Sequence, residues 1–357
     1  MSPIVSEQYE FVIGVDTHAA THTFAVVAGA TGAALHRATF PTSTPGLARA
    51  FDWLNRHVAD RSTLVVVEGT GSFGAIVTRR LQAAGFTVVE AARMSAGERR
   101  GTGNSDELDA VRIARAVLGL PLTRLRDPRE LSTDKARVAM RVLVVVREQM
   151  TGERTRTINT LTALVRTVDL GVDARKALTT GQIRTVAAWR ERDEDATTAT
   201  CRHEAVRLPR HIRTLEADLA SNRTDIHTLV AKDTPELLDL TGVAAVVAAA
   251  VLVTWSHPGR LRSEAAMASL AGTCPIPASS GNTVRHRLNR GGDRRLNRAL
   301  TTITIVRMRV DPDTRAYVAR RRAEGRTTKE IMRSLKRYIT RQLFRTLAAA
   351  HPTPEPA

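Results

Sequence analysis

Phe11-Val12-Ile13-Gly14-Val15-Asp16 is the stretch on which the fold turns: an uncharged run, rich in β-branched residues, that stops on a carboxylate. Phe11 to Val15 predicts a buried strand ending at Asp16. Working outward, Thr23 to Ala28 predicts an antiparallel return strand, and Leu64 to Val67 predicts a third strand ending at Glu68. A helix is expected from about Phe73 to Ala84; Gly85 breaks it, and Phe86 to Val89 predicts another strand. Ser105 is placed to cap a helix over Asp106 to Leu118, which Gly119 and Pro121 terminate. Strands alternating with helices predict an α/β domain in the first third of the chain.

The acids in this domain suggest chemistry. Asp106 and Asp109 are three apart on the expected helix, so their carboxylates leave one face. Gathered with Asp16 and Glu68, which stand at strand ends, they would form a four-carboxylate cluster of hard oxygen ligands, the set that two Mg²⁺ ions need. In an in-line phosphoryl displacement one ion activates the nucleophile and the other stabilises the leaving oxygen. An acid on the first strand, an acid on a later strand and acids on a following helix fit a ribonuclease H-like fold. Two rivals stand beside this reading. Gly69-x-Gly71-x-x-Gly74 followed by a helix, a strand and Glu90 matches a dinucleotide-binding fingerprint. Against it, Glu68 puts a carboxylate where the pyrophosphate would lie, and the fingerprint does not open its domain. Gly14-Val15-Asp16-Thr17-His18 could be the first phosphate loop of an actin-like or sugar-kinase ATPase, but the second and third glycine-rich segments are missing. His18 and His22 are read as surface residues without a role.

From about Asp127 to Asp233 the pattern is helical. Leu208, Ile212, Leu215, Leu219, Ile226 and Leu229 follow 3–4 spacing with Asn222 in the seam, and Ile158, Leu161, Val165 and Val168 repeat it. These helices are expected to pair as a long coiled-coil connector, within one chain or between two. Glu191 to Thr200 is polar and reads as a loop or a frayed segment. Beyond Pro235, Leu237 to Val243, an Ala/Val-rich helix to Trp255 and a helix around Ser263 to Ala271 have the pattern of a helix-hairpin-helix, whose turn amides can meet a phosphate, or of a purely structural pair. Pro275 to Gly281 reads as a loop, followed by a basic helical segment to Arg345. The tail His351 to Ala357 is expected to be disordered. The domains are thus 1–126 (α/β, ribonuclease H-like), 127–235 (helical connector), 236–350 (mainly helical and basic) and the tail 351–357.

The length of 357 residues suits two or three domains. Cys201 and Cys274 stand far apart, which supports neither a disulfide framework nor a zinc module. The longest apolar stretch, Val243 to Trp255, is shorter than the roughly 18 residues of a membrane span, so the cytoplasm is the expected compartment and no membrane partner is expected. Charge is more informative. The formal net charge is +17, and between Gly281 and Arg345 there are 19 basic against 5 acidic residues. A basic excess concentrated at one end points to a polyanion, and so to nucleic acid. Arg285, Arg287, Arg290, Arg294, Arg295 and Arg298 are the candidate phosphate contacts.

These residues carry a family resemblance. Asp16 in Gly-Val-Asp, Glu68 in Val-Glu-Gly-Thr-Gly and Asn104-x-Asp106-x-x-Asp109 resemble the Asp-Glu-Asp-Asp (DEDD) motif of insertion-sequence transposases with a RuvC-like catalytic domain. Leu270-Ala-Gly-Thr-Cys-Pro, Ser279-Ser280-Gly281 and Arg290-Gly-Gly-Asp-Arg-Arg-Leu-Asn-Arg-Ala-Leu300 are similar to the second domain of the same transposases. The resemblance implies a site-specific recombinase guided by a structured bridge RNA, acting on double-stranded DNA at element ends and target. It implies Mg²⁺ on Asp16, Glu68, Asp106 and Asp109, and a phosphoserine link through Ser280, with Ser279 the alternative. Asn282 and Thr283 depart from the basic or glycine residues of many relatives. Acids and serine lie in separate domains, so a site composed between chains of a dimer or tetramer is expected. The rival within this chemistry is a RuvC-like nuclease with water as nucleophile.

Overall fold

The computed structural model describes residues 3–59, 61–91, 105–128, 135–278 and 286–352. The chain divides into two compact units, one of residues 1–135, 255–262 and 351–357, the other of residues 136–254 and 263–350.

The first unit begins with α1 (Val5–Gln8) and continues through β1 (Phe11–Thr17), β2 (Thr21–Ala28), β3 (Ala34–Pro41), α2 (Thr44–Val58), β4 (Thr63–Val67), α3 (Ala75–Ala83), β5 (Thr87–Glu90) and α4 (Asp106–Arg115). Its sheet has the order β3-β2-β1-β4-β5. β1, β2 and β3 run antiparallel in sequence, whereas β4 lies parallel to β1 and β5 parallel to β4. This mixed five-stranded α/β domain is consistent with the ribonuclease H-like arrangement expected above. Both faces are covered. Ile13, Val15, Phe24 and Val26 pack on α2 and α3 through Leu47, Leu54, Val77 and Leu81. Val12, Ala25, Val27 and Leu64 pack on α4 through Ala110, Ile113 and Ala114. Strands buried on both faces lose the polar alternation that a half-exposed strand shows, which is why β1 and β4 read as continuous apolar runs.

Besides the four-residue α1, two elements of the first unit have no counterpart in the sequence reading. β3 is an edge strand whose residues are mostly exposed or half-buried, so Ala34-Leu-His-Arg-Ala-Thr-Phe-Pro41 carries no apolar run to announce it. α2 follows it, capped by Ser43, whose hydroxyl accepts from the Gly46 N–H. Asp16 lies inside β1, one residue short of its end, and α4 stops at Arg115.

The second unit contains α5 (Lys135–Thr167), α6 (Thr180–Ala187), α7 (Ala196–Asp233), α8 (Ala245–Trp255), α9 (Glu264–Leu270), the hairpin β6 (Pro275–Pro277) and β7 (His286–Leu288), α10 (Arg294–Val310), α11 (Pro312–Ala323) and α12 (Thr328–Ala350). It is largely helical. α5 and α7 run antiparallel: Asn222 Nδ2 donates to Leu143 O at 3.1 Å, Arg147 Nη1 to Leu219 O at 2.8 Å, and Arg154 Nε to Glu216 Oε1 at 3.0 Å. The pairing is within one chain. α8 is apolar on all sides, with Ala248, Ala249, Val251 and Leu252 fully buried.

Two local expectations are corrected. Asp195 caps α7 by accepting from the Thr197 and Thr198 N–H groups, so residues 196–200 are helix rather than loop. Pro275–Pro277 pairs with His286–Leu288 and is strand rather than loop. The Thr241–Gly242 turn lies against α10: Arg307 Nε donates to Thr241 O at 2.7 Å, and a Cβ on Gly242 would meet Ile303 O at 3.1 Å. Gly242 is half-buried there, while Thr241 is exposed. Ser279, Ser280, Gly281, Asn282, Thr283 and Arg285 fall outside the described residues, as do Asn104 and the tail from residue 353.

Candidate active site

Side chains alternate along a strand, so Gly14 and Asp16 share the face of β1 that α4 covers, while Ile13 and Val15 face α2 and α3. Gly14 controls how near the helix comes. A Cβ there would meet Ala110 O at 1.9 Å and Ala114 N at 2.8 Å, so α4 rests directly on the β1 backbone. Its first turn is then brought down beside Asp16. Ser105 holds that turn by accepting from the Leu108 N–H at 3.3 Å. Asp106, Glu107 and Asp109 all sit in it, where the partial positive charge of the helix N-terminus favours acids.

His18 Nε2 lies 3.2 Å from Asp16 Oδ2 and 3.5 Å from Asp106 Oδ1. One ligand atom from each of Asp16, His18 and Asp106 falls within 4.8 Å of the others. Asp16 is buried, with 6% of its surface exposed, whereas His18 and Asp106 are exposed. Burial pushes the Asp16 carboxyl up from its ordinary value; His18 opposes this, and the negative charges of Asp106 and Asp109 add to it. The geometry therefore concentrates like charge around a poorly hydrated carboxylate. A hard divalent cation neutralises such a set, and the carboxylate oxygens suit it. The imidazole of His18 stands between two of these carboxylates and supplies positive charge when protonated.

Asp109 acts on Asp16 through its charge, and its own carboxylate accepts from Arg112 Nη1 at 2.7 Å. Glu68 reaches the same edge of the sheet through its backbone. Its N–H donates to Val15 O at 3.0 Å, and its carbonyl accepts from Thr17 Oγ1 at 2.9 Å. Its side chain is exposed. His18, to which the sequence assigns no role, joins the cluster. Its place two residues after Asp16, just past the end of β1, is the available signal. His22 pairs with Thr17, is buried, and takes no part in the cluster.

The glycines that imitate a dinucleotide fingerprint serve a turn. Gly69 has φ +62°, Gly74 N–H donates to Gly69 O at 3.1 Å, and a Cβ on Gly74 would meet Glu68 O at 2.6 Å. Glu90 accepts from Arg260 Nη2 at 3.2 Å. The acid that would bind a ribose is already paired.

In the second unit, Arg287, Arg290, Arg294 and Arg298 are exposed. Arg295 is paired with Glu148 at 2.8 Å, and Arg298 lies 3.4 Å from the same carboxylate. The two motifs 270–275 and 290–300 meet through their glycines: a Cβ on Gly292 would lie 2.4 Å from Gly272 N. Asp293 N–H donates to Leu270 O, and Asp293 caps α10 by accepting from Leu296 N–H.

The sequence matches known proteins. Residues 13–168 match the transposase family model of DEDD type from IS110 elements, and residues 235–319 match the Transposase IS116/IS110/IS902 family. The chain is similar to the Insertion element IS900 uncharacterized 42 kDa protein of Mycobacterium paratuberculosis, with 27% identity over 306 residues, covering 72% of this chain and 75% of that protein. It is also similar to the Insertion element IS110 uncharacterized 43.6 kDa protein of Streptomyces coelicolor, with 35% identity over 114 residues, covering 32% of this chain but only 28% of that relative. Both family models match in the order in which the α/β and helical units follow one another. The chain belongs to the IS110 family of transposases.

Proposed function

We propose that the protein is a divalent-metal-dependent transposase that cuts and rejoins DNA strands. In this reading residues 1–126 form the RuvC-like catalytic domain, 127–235 a helical coiled-coil connector, and 236–350 the basic domain with the nucleophile and a helix-hairpin-helix-like element. What carries the reading is the convergence of Asp16 and Asp106 from two elements, with Asp109 pressing its charge on the same carboxylate. Asp16, Glu68, Asp106 and Asp109 would hold the metal, which we take to be Mg²⁺ in a two-ion site. When bound, it would supply charge neutralisation for the attacked phosphodiester and its leaving oxygen.

Ser280, or Ser279 as the alternative, would attack phosphorus through its hydroxyl oxygen. The serine proton passes to a base as the bond forms, and the P–O bond to the leaving strand breaks. The resulting phosphoserine conserves the phosphodiester energy, so attack by a new strand hydroxyl releases the serine and rejoins the DNA without ATP. Arg285, Arg287, Arg290, Arg294, Arg295 and Arg298 would position the backbone, which fixes register but carries no sequence information. A structured guide RNA would supply the sequence choice, and a dimer or tetramer would assemble the acids of one chain with the serine of another.

Trapping a protein–DNA adduct tests this. The adduct is expected with the native chain and Mg²⁺, and expected to vanish in Asp109→Ala and in Ser280→Ala but not in Ser279→Ala. Cleavage without any adduct would instead make water the nucleophile.

A further inference from the structure

A cleft of about 1040 Å³ opens within the second unit. The segments 272–275 and 287–292 form one wall, and the N-terminal halves of α10 and α12 form the other. The touching glycines Gly272 and Gly292 hold the first wall together. α12 contributes a set of cations that the sequence reading left unassigned. Lys329, Arg333 and Lys336 line the cleft at helical spacing, together with Arg287, Arg290 and Arg294. No carboxylate lines it among the described residues. Among the described residues, Arg287, Arg290, Arg294, Lys329 and Arg333 have no carboxylate partner lining the cleft.

Lys336 is the most telling of these residues. It is half-buried, and its Nζ donates to the neutral Asn297 Oδ1 at 3.0 Å. Burial pushes its amine down from the ordinary lysine value. A partly dehydrated ammonium whose hydrogen-bond partner is an amide lacks a counter-charge, and an incoming phosphate would provide one.

The same cleft carries apolar surface. Tyr338 is 55% exposed, yet its ring is held edge-on by Tyr317 at 6.1 Å and 82°. Leu288 is also 55% exposed. A duplex stacks its bases inward and offers a protein surface mainly phosphates, leaving such side chains nothing to cover them. An unpaired strand presents phosphates and base faces together.

We infer that this cleft binds an unpaired nucleic-acid strand, with its phosphates on Lys336 and the neighbouring cations and a base stacked on Tyr338. The inference rests on the nucleic-acid chemistry proposed above and names the substrate form taken at a second site. A DNA strand opened during cleavage and a single-stranded part of an RNA share this chemistry.

Fluorescence anisotropy of the full chain, with labelled oligo(dT), oligo(U) and a duplex of equal length, tests it. EDTA is present, so the outcome is independent of metal chemistry. Tyr338→Ala is expected to weaken at least one unpaired strand roughly ten-fold, with duplex binding changed less than about two-fold. Tyr338→Phe should retain binding, because the ring rather than the hydroxyl stacks. Lys336→Ala should lower the salt dependence by about one phosphate contact. Dependence on Tyr338 with oligo(U) alone assigns the strand as RNA, and with oligo(dT) alone as DNA. Equal losses for strand and duplex, no loss for either strand, or equal losses in Tyr338→Phe and Tyr338→Ala would overturn the inference. A chain that binds strands in this way but forms no adduct with Mg²⁺ would refute the proposed reaction and leave the cleft assignment standing.

Discussion

Gly14 and Asp16 show how two residues of one strand set the site. The glycine has no side chain to keep α4 away, and the aspartate receives the helix's first turn. Gly14→Ala must push α4 off the β1 backbone, because the added methyl would overlap Ala110 O. We expect a destabilisation of about 1–3 kcal/mol or more, measured by urea unfolding, with a parallel loss of divalent-ion stabilisation. Asp16→Asn should act oppositely on the metal-free protein. The charged form of Asp16 is disfavoured by burial and by its acidic neighbours, so an uncharged amide should leave melting temperature unchanged or higher. The rise in melting temperature on adding Mg²⁺ should then disappear, since a ligand stabilises only the state that binds it. A large loss of stability in metal-free Asp16→Asn would contradict this account. Asp16 near the end of a strand and Asp106 and Asp109 on the first turn of a helix were legible, because that spacing is written in the chain. The participation of His18 depends on where α4 brings Asp106, and no local pattern gives that position.

Among the helices, polar pins fix what apolar spacing leaves open. Asn222 is buried in the α7 seam and donates to Leu143 O, while Arg147 reaches both Leu219 O and Asn222 Oδ1. The 3–4 spacing announced that α7 would pair, and the position of Asn222 in the seam was visible. Neither revealed that its partner would be α5 of the same chain. Asn222→Ala is expected to cost about 1–3 kcal/mol in chemical unfolding, since it strips the Arg147 guanidinium of one acceptor and leaves a gap. Glu148 similarly ties α5 to Arg295 and Arg298 on α10. Its hydrogen bond from Arg295 holds its carboxyl below the usual value despite partial burial. A carboxylate with a depressed folded pKa contributes stability above its unfolded pKa and loses it as pH falls through the folded one. Glu148→Gln should therefore lower stability near pH 7 and match the native chain once acid has protonated Glu148. A deficit persisting unchanged at low pH would show that packing rather than charge was lost. β3 escaped sequence reading for the complementary reason: an edge strand with few buried side chains has no apolar period to display.

At the scale of the whole molecule, the net charge of +17 and its concentration after residue 280 make nucleic-acid affinity a strong function of salt. Each neutralised phosphate releases counterions, so a chain making on the order of six contacts should lose about three orders of magnitude in affinity between 50 and 200 mM salt. Duplex titrations over that range check it; a shallow dependence would mean that few of the exposed arginines reach phosphate. Two units with separate cores also explain why the sequence divides so plainly, with apolar runs and short helices first and long amphipathic helices afterwards. Among the described residues, no helix is long and apolar enough to cross a membrane.

By itself, the sequence determined the α/β character of the first unit, the helical second unit and the basic end. These follow from periodicity, capping residues and charge, which act between near neighbours in the chain. Only the tertiary structure decided that Asp16, His18 and Asp106 meet, that α7 pairs with α5, and that the cations of α12 line one cleft with Arg287 and Arg290. Such meetings join residues far apart in sequence. They are set by which faces bury together and how closely two backbones approach, and a linear pattern carries neither.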